Sequence, residues 1–255
     1  MSKEKQVIAM IPARMASTRF PGKPLADICG KTMIEHVWQR TRMNKKVASV
    51  FIVTCDREIR ETAMNFGADV VMTSDKHERC TERIAEACGK LLDEGKEFDV
   101  VLVIQGDEPL LNPAALDLLI QPFSEDEQVS CVNLIELLES EDEIRNRNNV
   151  KTVSDPDNFV LYFSRLPIPD GATRQHYKQL GIYGLRKEVV VKYSKMKQTP
   201  LEIAESVDMM RFIEHRVPIK AVLSPFKTYA VDTPSDREVV CAVMEKDALF
   251  LRYQK

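Results

Sequence analysis

Three cations, Arg14, Arg19 and Lys23, fall within ten residues of one another in the stretch "IPARMASTRFPGKPL", beside Pro12, Pro21 and Pro24. Arginine forks grip phosphate oxygens through paired N–H donors, and lysine adds a point charge. A proline-stiffened loop that bends these side chains onto one spot could therefore hold a polyanion. A solvated basic loop is the plain alternative. The same region runs on to Gly30-Lys31-Thr32, which matches the ending of a phosphate-binding P-loop. A P-loop also needs a glycine where this chain has Leu25, because that glycine permits the turn that wraps backbone N–H groups round the phosphate. Gly22-Lys23 fails as well, with Ser17 at the glycine position and Pro24 after the lysine. Gly30-Lys31-Thr32 reads instead as a turn followed by a helix cap.

The complement to the cations is acidic. The apolar run in "VIQGDEPLL" ends in Gln105-Gly106-Asp107-Glu108-Pro109 and would leave the Asp107 carboxylate at the carboxyl edge of a sheet. There a hard cation such as Mg2+ could bridge it to phosphate oxygens. An ordinary aspartate turn before Pro109 is the alternative. In "YAVDTPSD", Thr233 serves as helix cap with Pro234 in the first turn, so Asp232 is left over for another task, such as a second Mg2+ ligand. Two carboxylates from distant strand ends are the minimum expected for a metal held mainly by substrate phosphates.

The elements that must position these residues alternate. "QVIAMIPA", "VASVFIVTC", "ADVVMT" and "FDVVLVIQ" read as strands. Between them lie helices at "TMIEHVWQRTR", "REIRETAMNF" (stopped by Gly67) and "CTERIAEACGKLLDEG". The first of these carries a Thr32/Glu35 capping box and an apolar face of Ile34, Val37, Trp38 and Thr41. Such a βαβαβαβ run of continuously apolar strands predicts a mostly parallel sheet with helices on both faces. In that arrangement ligands bind outside the carboxyl ends of the strands, where the loops at 12–24 and 106–109 emerge. The second half is less regular. "QVSCVNLIEL", "NNVKTVS", "FVLYFSR", "YKQLGIYGLR" and "IKAVLS" read as strands, "KEVVVKYSKM", "PLEIAESVDMMRFIEH" and "TPSDREVVCAVMEKD" as helices. They predict a smaller mixed or antiparallel extension over about 125–200, within a single domain spanning 1–255.

With 255 residues, 44% of them hydrophobic, the chain can bury a full core as one large α/β domain. A net charge of −3 makes the N-terminal cations a local feature, which argues against binding nucleic acid or a membrane surface. No stretch approaches the ~20 apolar residues of a membrane span or resembles a secretory signal, so a cytoplasmic location is expected. The six cysteines form no C-x-x-C pair and are expected to be reduced and buried.

Taken together and in this order, "IPARMASTRFPGKPL", "IQGDEPLL", "LYFSR", "LGIYGLRK" and "VDTPSD" resemble the CMP-Kdo synthetases, the 3-deoxy-manno-octulosonate cytidylyltransferases, over nearly the whole chain. The resemblance implies a Rossmann-like nucleotide-diphospho-sugar transferase fold and a cytoplasmic homodimer, with the extension at about 125–200 used in dimerisation. It also implies Mg2+-dependent coupling of CTP to a Kdo-like sugar acid, giving a CMP-sugar and pyrophosphate for lipopolysaccharide biosynthesis. By the same resemblance Arg14, Arg19 and Lys23 match the triphosphate loop, Asp107 and Asp232 the Mg2+ ligands, and Gln105 and Tyr183 the sugar pocket. Arg14, Lys23 and Asp107 would then act in catalysis by positioning and charge stabilisation, with no obvious protein base.

The chain departs from that pattern at several positions. Gln179 stands where the family usually has histidine, and Asp208 and Met209 stand where it has glutamate and glutamine. Methionine there would take a hydrogen-bonding group out of the pocket. The loop usually reading S-G-T-[DE]-R is "RCTER" here. It keeps Thr81, Glu82 and Arg83, of which Thr81 and Arg83 are nucleotide-binding candidates, but replaces the small pair with Arg79-Cys80. Neutral drift and a changed acceptor both fit these changes; an amino or otherwise modified octulosonate, another sugar acid, a hydroxy acid or a phosphonate would be such an acceptor. His176 and His215 are set aside as surface or cap residues. A nucleotide-binding protein without turnover is the reading from another class.

Overall fold

The computed structural model describes residues 5–17, 19–171 and 175–254. Its first half follows the predicted alternation. The elements are β1 (Val7–Pro12), a hairpin of β2 (Asp27–Ile28) and β3 (Lys31–Thr32), α1 (Met33–Arg42), β4 (Val47–Thr54), α2 (Arg57–Asn65), β5 (Asp69–Met72), α3 (Cys80–Asp93) and β6 (Val100–Ile104). After them come α4 (Ala115–Glu125), β7 (Cys131–Leu138), α5 (Glu141–Arg145), β8 (Lys151–Ser154), β9 (Val160–Ser164), β10 (His176–Arg186), α6 (Lys187–Tyr193), α7 (Pro200–Glu205), α8 (Met209–Glu214), β11 (Ile219–Leu223) and α9 (Pro234–Met244).

The sheet runs in the order β11-β7-β10-β6-β1-β4-β5, with β8 and β9 attached beside β10. Strands β1, β4, β5 and β6 are mutually parallel, as are β7 and β11; β10 alone on this path runs antiparallel, between β6 and β7. The mixed character therefore enters at the middle of the sheet. Residues Ile182–Arg186 of β10 pair with β6, while Tyr177 and Lys178 reach outward to pair with β8.

Period-two alternation fills both faces. In β6, Val100, Leu102 and Ile104 join the helix faces of α1, α2 and α4, while Val101 and Val103 join those of α3, α6 and α8. A fully buried side chain of this size contributes roughly 1.5–3 kcal/mol, so the two layers fix which strand ends share an edge. A third cluster, including Ile28, Met33, Val231, Val240 and Tyr253, clamps α9 and the C-terminus over the β2–β3 hairpin.

Several expectations need correction. Thr32 does cap α1, its Oγ1 accepting from Glu35 N at 3.4 Å, but the Glu35 carboxylate turns to Lys31 Nζ at 2.7 Å, so the capping box is one-sided. Gly30-Lys31-Thr32 is turn and cap as expected, with Cys29 and Gly30 both left-handed (φ 51° and 87°) in a two-residue hairpin loop. Helix α4, with Leu116, Leu119, Ile120 and Phe123 buried, has no counterpart among the predicted elements; Pro122 sits inside it. "PLEIAESVDMMRFIEH" is two helices, broken where Ser206 turns left-handed (φ 54°, ψ 48°). The cysteines are all free, but only Cys88 and Cys131 are buried; Cys29, Cys55, Cys80 and Cys241 are half-buried. No helix among the described residues is long and apolar enough to cross a membrane.

Candidate active site

The carboxyl ends of β1 and β6 lie side by side, and the loops leaving them frame a cleft of about 560 Å³. The contact between the loops is close: a Cβ on Gly106 would stand 3.1 Å from Pro12 O, so the chain after β6 lies directly against the chain leaving β1. Past Pro12 the basic loop turns back through left-handed Gly22 into a 3-10 turn at Lys23–Leu25, which delivers Lys23 to the cleft.

Lys23 Nζ donates to Asp107 Oδ2 at 2.8 Å and to Asp232 Oδ1 at 3.2 Å. Two carboxylates far apart in sequence, Asp107 in the turn after β6 and Asp232 just before α9 rather than at a strand end, thus converge on one ammonium. Burial alone pulls the Lys23 ammonium downward, but the Asp107 and Asp232 charges and hydrogen bonds outweigh it and hold its pKa above the ordinary lysine value. The backbone reinforces the convergence, with Val231 N donating to Asp107 O at 2.9 Å. Arg19 completes the cluster, donating to Asp232 Oδ1 at 3.0 Å and across the mouth of the cleft to Asn148 Oδ1 at 3.3 Å. Arg14 is exposed and borders the cleft; its guanidinium has no protein hydrogen bond among the described residues.

The opposite wall is built by α3, β10 and the α7–α8 break. Gln105, Gln179 and Asp208 line it. Gly181 gives Gln105 its place: a Cβ there would meet Gln105 Cδ at 2.7 Å. Asp208 Oδ2 accepts from both Thr81 N (3.1 Å) and Thr81 Oγ1 (2.6 Å). Thr81 Oγ1 also lies 2.8 Å from Tyr183 OH. With the Thr81 hydroxyl spent on Asp208, the Tyr183 O–H donates to Thr81. Thr81 and Tyr183 are both buried and stand behind the wall, bracing Asp208 rather than facing the cleft. Burial raises the Tyr183 phenol well above its usual range, so it stays protonated and able to donate. Arg83 is mostly buried as well; it reaches the cleft edge while its Nη1 donates to Thr73 Oγ1 at 2.6 Å and Ser74 O at 3.2 Å.

Met209 is wholly buried in the core and takes no part in the cleft, so the expected loss of a pocket hydrogen bond at that position does not arise. His176 and His215 bond to the Ile168 and Lys197 carbonyls and lie outside the cleft lining.

Other residues join the site without having been singled out. Glu108 is buried on the cleft floor, and burial, then the Asp107 charge, pushes its pKa up to about 8, so its carboxyl is mainly protonated at neutral pH. Arg165 and Lys178 also line the cleft. Arg165 lies at the end of the quoted "LYFSR", the one signal that could have marked it; nothing marked Glu108 beyond its neighbour Asp107.

For a divalent cation the donor set is incomplete but suitable. Among the described residues no cluster of three or more His, Cys, Asp or Glu could hold a metal alone. The two carboxylates that share the Lys23 ammonium form a hard oxygen pair of the kind Mg2+ uses when phosphates and water supply its remaining ligands.

A basic loop, paired carboxylates and a polar wall share one cleft at the edge of a doubly covered sheet, an arrangement that suits a nucleotidyltransferase. The sequence model of the family described as "Cytidylyltransferase" matches residues 8–220, and the chain belongs to that family. It is 40% identical over 244 residues to the 3-deoxy-manno-octulosonate cytidylyltransferase of Thermodesulfovibrio yellowstonii, covering 91% of this chain and 95% of that one. The Myxococcus xanthus protein of the same name is 41% identical over 244 residues, covering 94% and 96%. A solved structure of CMP:2-keto-3-deoxy-manno-octonic acid synthetase complexed with CTP superposes with a TM-score of 0.86 at 33% identity, over 94% of this chain and 99% of that one. The chain is thus a cytidylyltransferase whose relatives are CMP-Kdo synthetases.

Proposed function

We propose that this enzyme couples CTP to a Kdo-like sugar acid, with Mg2+, to give the CMP-sugar and pyrophosphate that supply lipopolysaccharide synthesis in the cytoplasm. The observation that carries the reading is the Lys23 ammonium shared by Asp107 and Asp232 at the mouth of a cleft bordered by Arg14 and Arg19. The relatives' names and the CTP complex of the structural neighbour support the choice of nucleotide and acid.

Asp107 and Asp232 would hold Mg2+, which when bound neutralises phosphate charge and polarises the reacting phosphoryl group. Lys23, released from the carboxylates, pairs with a phosphate oxygen, and Arg14 and Arg19 grip the triphosphate from the loop. Gln105, Gln179 and Asp208 orient the acid so that its anomeric hydroxyl lies in line with the α-phosphorus. The new O–P bond forms as the bond to pyrophosphate breaks, and the hydroxyl proton passes to solvent water. Charge on the leaving pyrophosphate falls on the arginines and lysine, so the protein contributes chiefly position and electrostatics.

Gln179 and Asp208 favour a second reading, in which the acceptor is a modified octulosonate, another sugar acid, a hydroxy acid or a phosphonate. We also propose a homodimer formed through the mixed-sheet region, where Leu161 and Leu166 are each 57% exposed. Charged substitutions at both should yield a monomer by light scattering; a wild-type monomer would refute the dimer. The activity is tested by pyrophosphate release from each of the four NTPs with a panel of acids, with and without Mg2+. Release from CTP with Kdo is expected. Release only with other acids selects the second reading, and no release with CTP and any acid refutes both.

A further inference from the structure

The wall that carries Asp208 also holds two guanidinium groups on a single residue. Arg79 Nη1 donates to Ser206 Oγ at 2.9 Å, and Arg165 Nη2 donates to Ser206 O at 3.2 Å. Ser206 presents both acceptors because it is the left-handed residue that breaks α7 from α8, a conformation a non-glycine residue adopts at some cost. Both arginines line the cleft.

Neither has a carboxylate of its own. The other bonds of the Arg165 guanidinium also go to main-chain carbonyls, Nε to Glu205 O at 2.7 Å and Nη1 to Arg147 O at 3.0 Å. No carboxylate lies within 4.0 Å of its nitrogens among the described residues. Directly behind it, wholly buried Lys151 donates to Asn146 O, Asn149 O and Arg165 O at 2.6–2.9 Å and likewise has no carboxylate partner among the described residues. Burial chiefly, then Arg147 and Arg165 against Glu205, lowers the Lys151 pKa. Arg79 approaches one carboxylate, Glu202, with Nε 3.8 Å from Oε1. That carboxylate is already taken by Arg211, Nε to Oε2 and Nη2 to Oε1 each at 2.7 Å. Arg79 Nε itself is buried with no hydrogen-bond partner.

Two of the negative groups nearby are engaged elsewhere, while exposed Glu78 also lines the cleft and has no hydrogen bond among the described residues. Asp208 Oδ2 faces the N-terminal turn of α3 at Thr81, and Glu205 accepts from Arg165 N and Tyr162 OH. A cleft wall with Arg165 held by neutral oxygens, Arg79 held by Ser206 and near a carboxylate it shares with Arg211, and Lys151 buried behind them is a seat for an anion supplied from outside.

We propose that Arg79, together with Arg165, seats the carboxylate of the acceptor acid, making Arg79 a specificity-determining residue particular to this chain. The proposal rests on the cytidylyltransferase reading and refines its acceptor side. Asp208, two residues beyond Ser206, has an oxygen free to accept from a hydroxyl of the same molecule, so the wall recognises an acid group and a nearby donor together. The small residue expected at position 79 could not make this contact.

The test is steady-state kinetics of wild type, Arg79→Ser and Arg79→Lys with Kdo, with Kdo methyl ester and with varied CTP. The loss of one charge-assisted contact predicts a KM for Kdo raised roughly tenfold to a hundredfold in Arg79→Ser, with partial rescue by lysine. kcat and the KM for CTP should stay within about threefold, since the contact forms with the acid before and during reaction. The ester, lacking the charge, should lose far less from the substitution than the free acid. An unchanged KM for Kdo, or an equal loss for acid and ester, overturns the proposal. A raised KM for CTP instead assigns Arg79 to the nucleotide and overturns it too. Should wild type release no pyrophosphate with CTP and any acid, the parent reading fails. Calorimetry of Kdo binding to wild type and Arg79→Ser then decides the seat on its own, equal affinity or no binding to either overturning it.

Discussion

Lys23→Met should make the enzyme bind divalent cations more tightly without nucleotide, even as it loses turnover. In the free protein the ammonium lies between Asp107 and Asp232, the two oxygens proposed for the metal. Mg2+ and lysine therefore compete for one place, and CTP resolves the contest by offering the lysine phosphate oxygens. Hydrogen bonds to charged groups contribute roughly 1.5–3 kcal/mol each in buried settings. Here the side chains are 15% exposed at Lys23, 19% at Asp107 and 29% at Asp232, so solvent screening brings the pair of bonds toward the low end. A combined ~1.5–3 kcal/mol corresponds to a tenfold to hundredfold gain in nucleotide-free affinity, since methionine keeps the volume and removes only the charge. Mn2+ titration followed by electron paramagnetic resonance reads this directly. Thermal unfolding supplies a second signature, because the uncompensated carboxylates should lower Tm in chelator and divalent ions should restore it. Unchanged Mn2+ affinity in Lys23→Met would refute a shared lysine and metal position, and full turnover would remove Lys23 from catalysis.

Asp107→Asn should retain the fold and lose most turnover, as judged by circular dichroism and pyrophosphate release; near-normal activity would take Asp107 out of the metal site. Gly181→Ala should leave stability nearly intact while raising the KM of the acid several-fold, because the new Cβ would fall 2.7 Å from Gln105 Cδ and push that side chain off its position; unaltered kinetics would show that Gln105 makes no productive contact. His36 gives a pH signature. Its Nε2 lies 2.7 Å from Ile28 O and its Nδ1 2.9 Å from Tyr253 OH, and burial, the leading cause, pulls its pKa down to about 4. Because the folded pKa lies below the unfolded one, the stability held by neutral His36 is full above about pH 6.5 and lost as pH falls toward 4. Denaturant unfolding at pH 7 and 5 should differ by ~2 kcal/mol from this group, a difference that His36→Phe removes; an unchanged slope in that variant would refute the assignment.

The parallel half of the sheet was legible because its physics is local. Continuous apolar strands alternate with capped amphipathic helices, and Gly67 and Thr32 end and begin helices where their chemistry says they should. Helix α4 was not, since Pro122 interrupts a helical pattern and the long Ala115–Glu125 stretch lacks a capping side chain at Ala114. The break at Ser206 was hidden for another reason: serine carries no sequence mark of a left-handed turn, and besides its own N–H bond to Ile203 O it is held by the remote Arg79 and Arg165. In the site, the meeting of Arg19 and Lys23 with Asp107 and Asp232 could be read from residue types, because cations on a stiff loop call for nearby carboxylates. Glu108 and Arg165 depend on burial and on contacts from remote segments, which spacing does not encode. Tyr183 and Thr81 show the same limit, since matching a motif does not say which residues face a ligand and which brace those that do.

That distinction changes how the departures from the family pattern weigh. Met209 lies in the core, where a buried apolar side chain fits the α8 face, so it carries no information about the acceptor. Asp208 does, because its carboxylate is held at the cleft by Thr81, backed in turn by Tyr183, and cannot swing away to suit a different ligand without breaking both Thr81 hydrogen bonds. Arg79 adds a cation to the same wall and is tied to the residue two before Asp208. Gln179, on the other side, sits at the β10 irregularity, with its backbone N bonded to Val150 O at 2.7 Å, and presents a neutral amide. Charge has therefore been redistributed along the wall, with a guanidinium gained at Arg79 and no titrating imidazole at Gln179. Of the departures, Met209 falls in the core, as drift allows, whereas Arg79, Cys80, Asp208 and Gln179 line the cleft. Arg79 and Asp208 are joined through Ser206, which Arg79 bonds and which stands two residues before Asp208, so these two would act on a ligand as a unit.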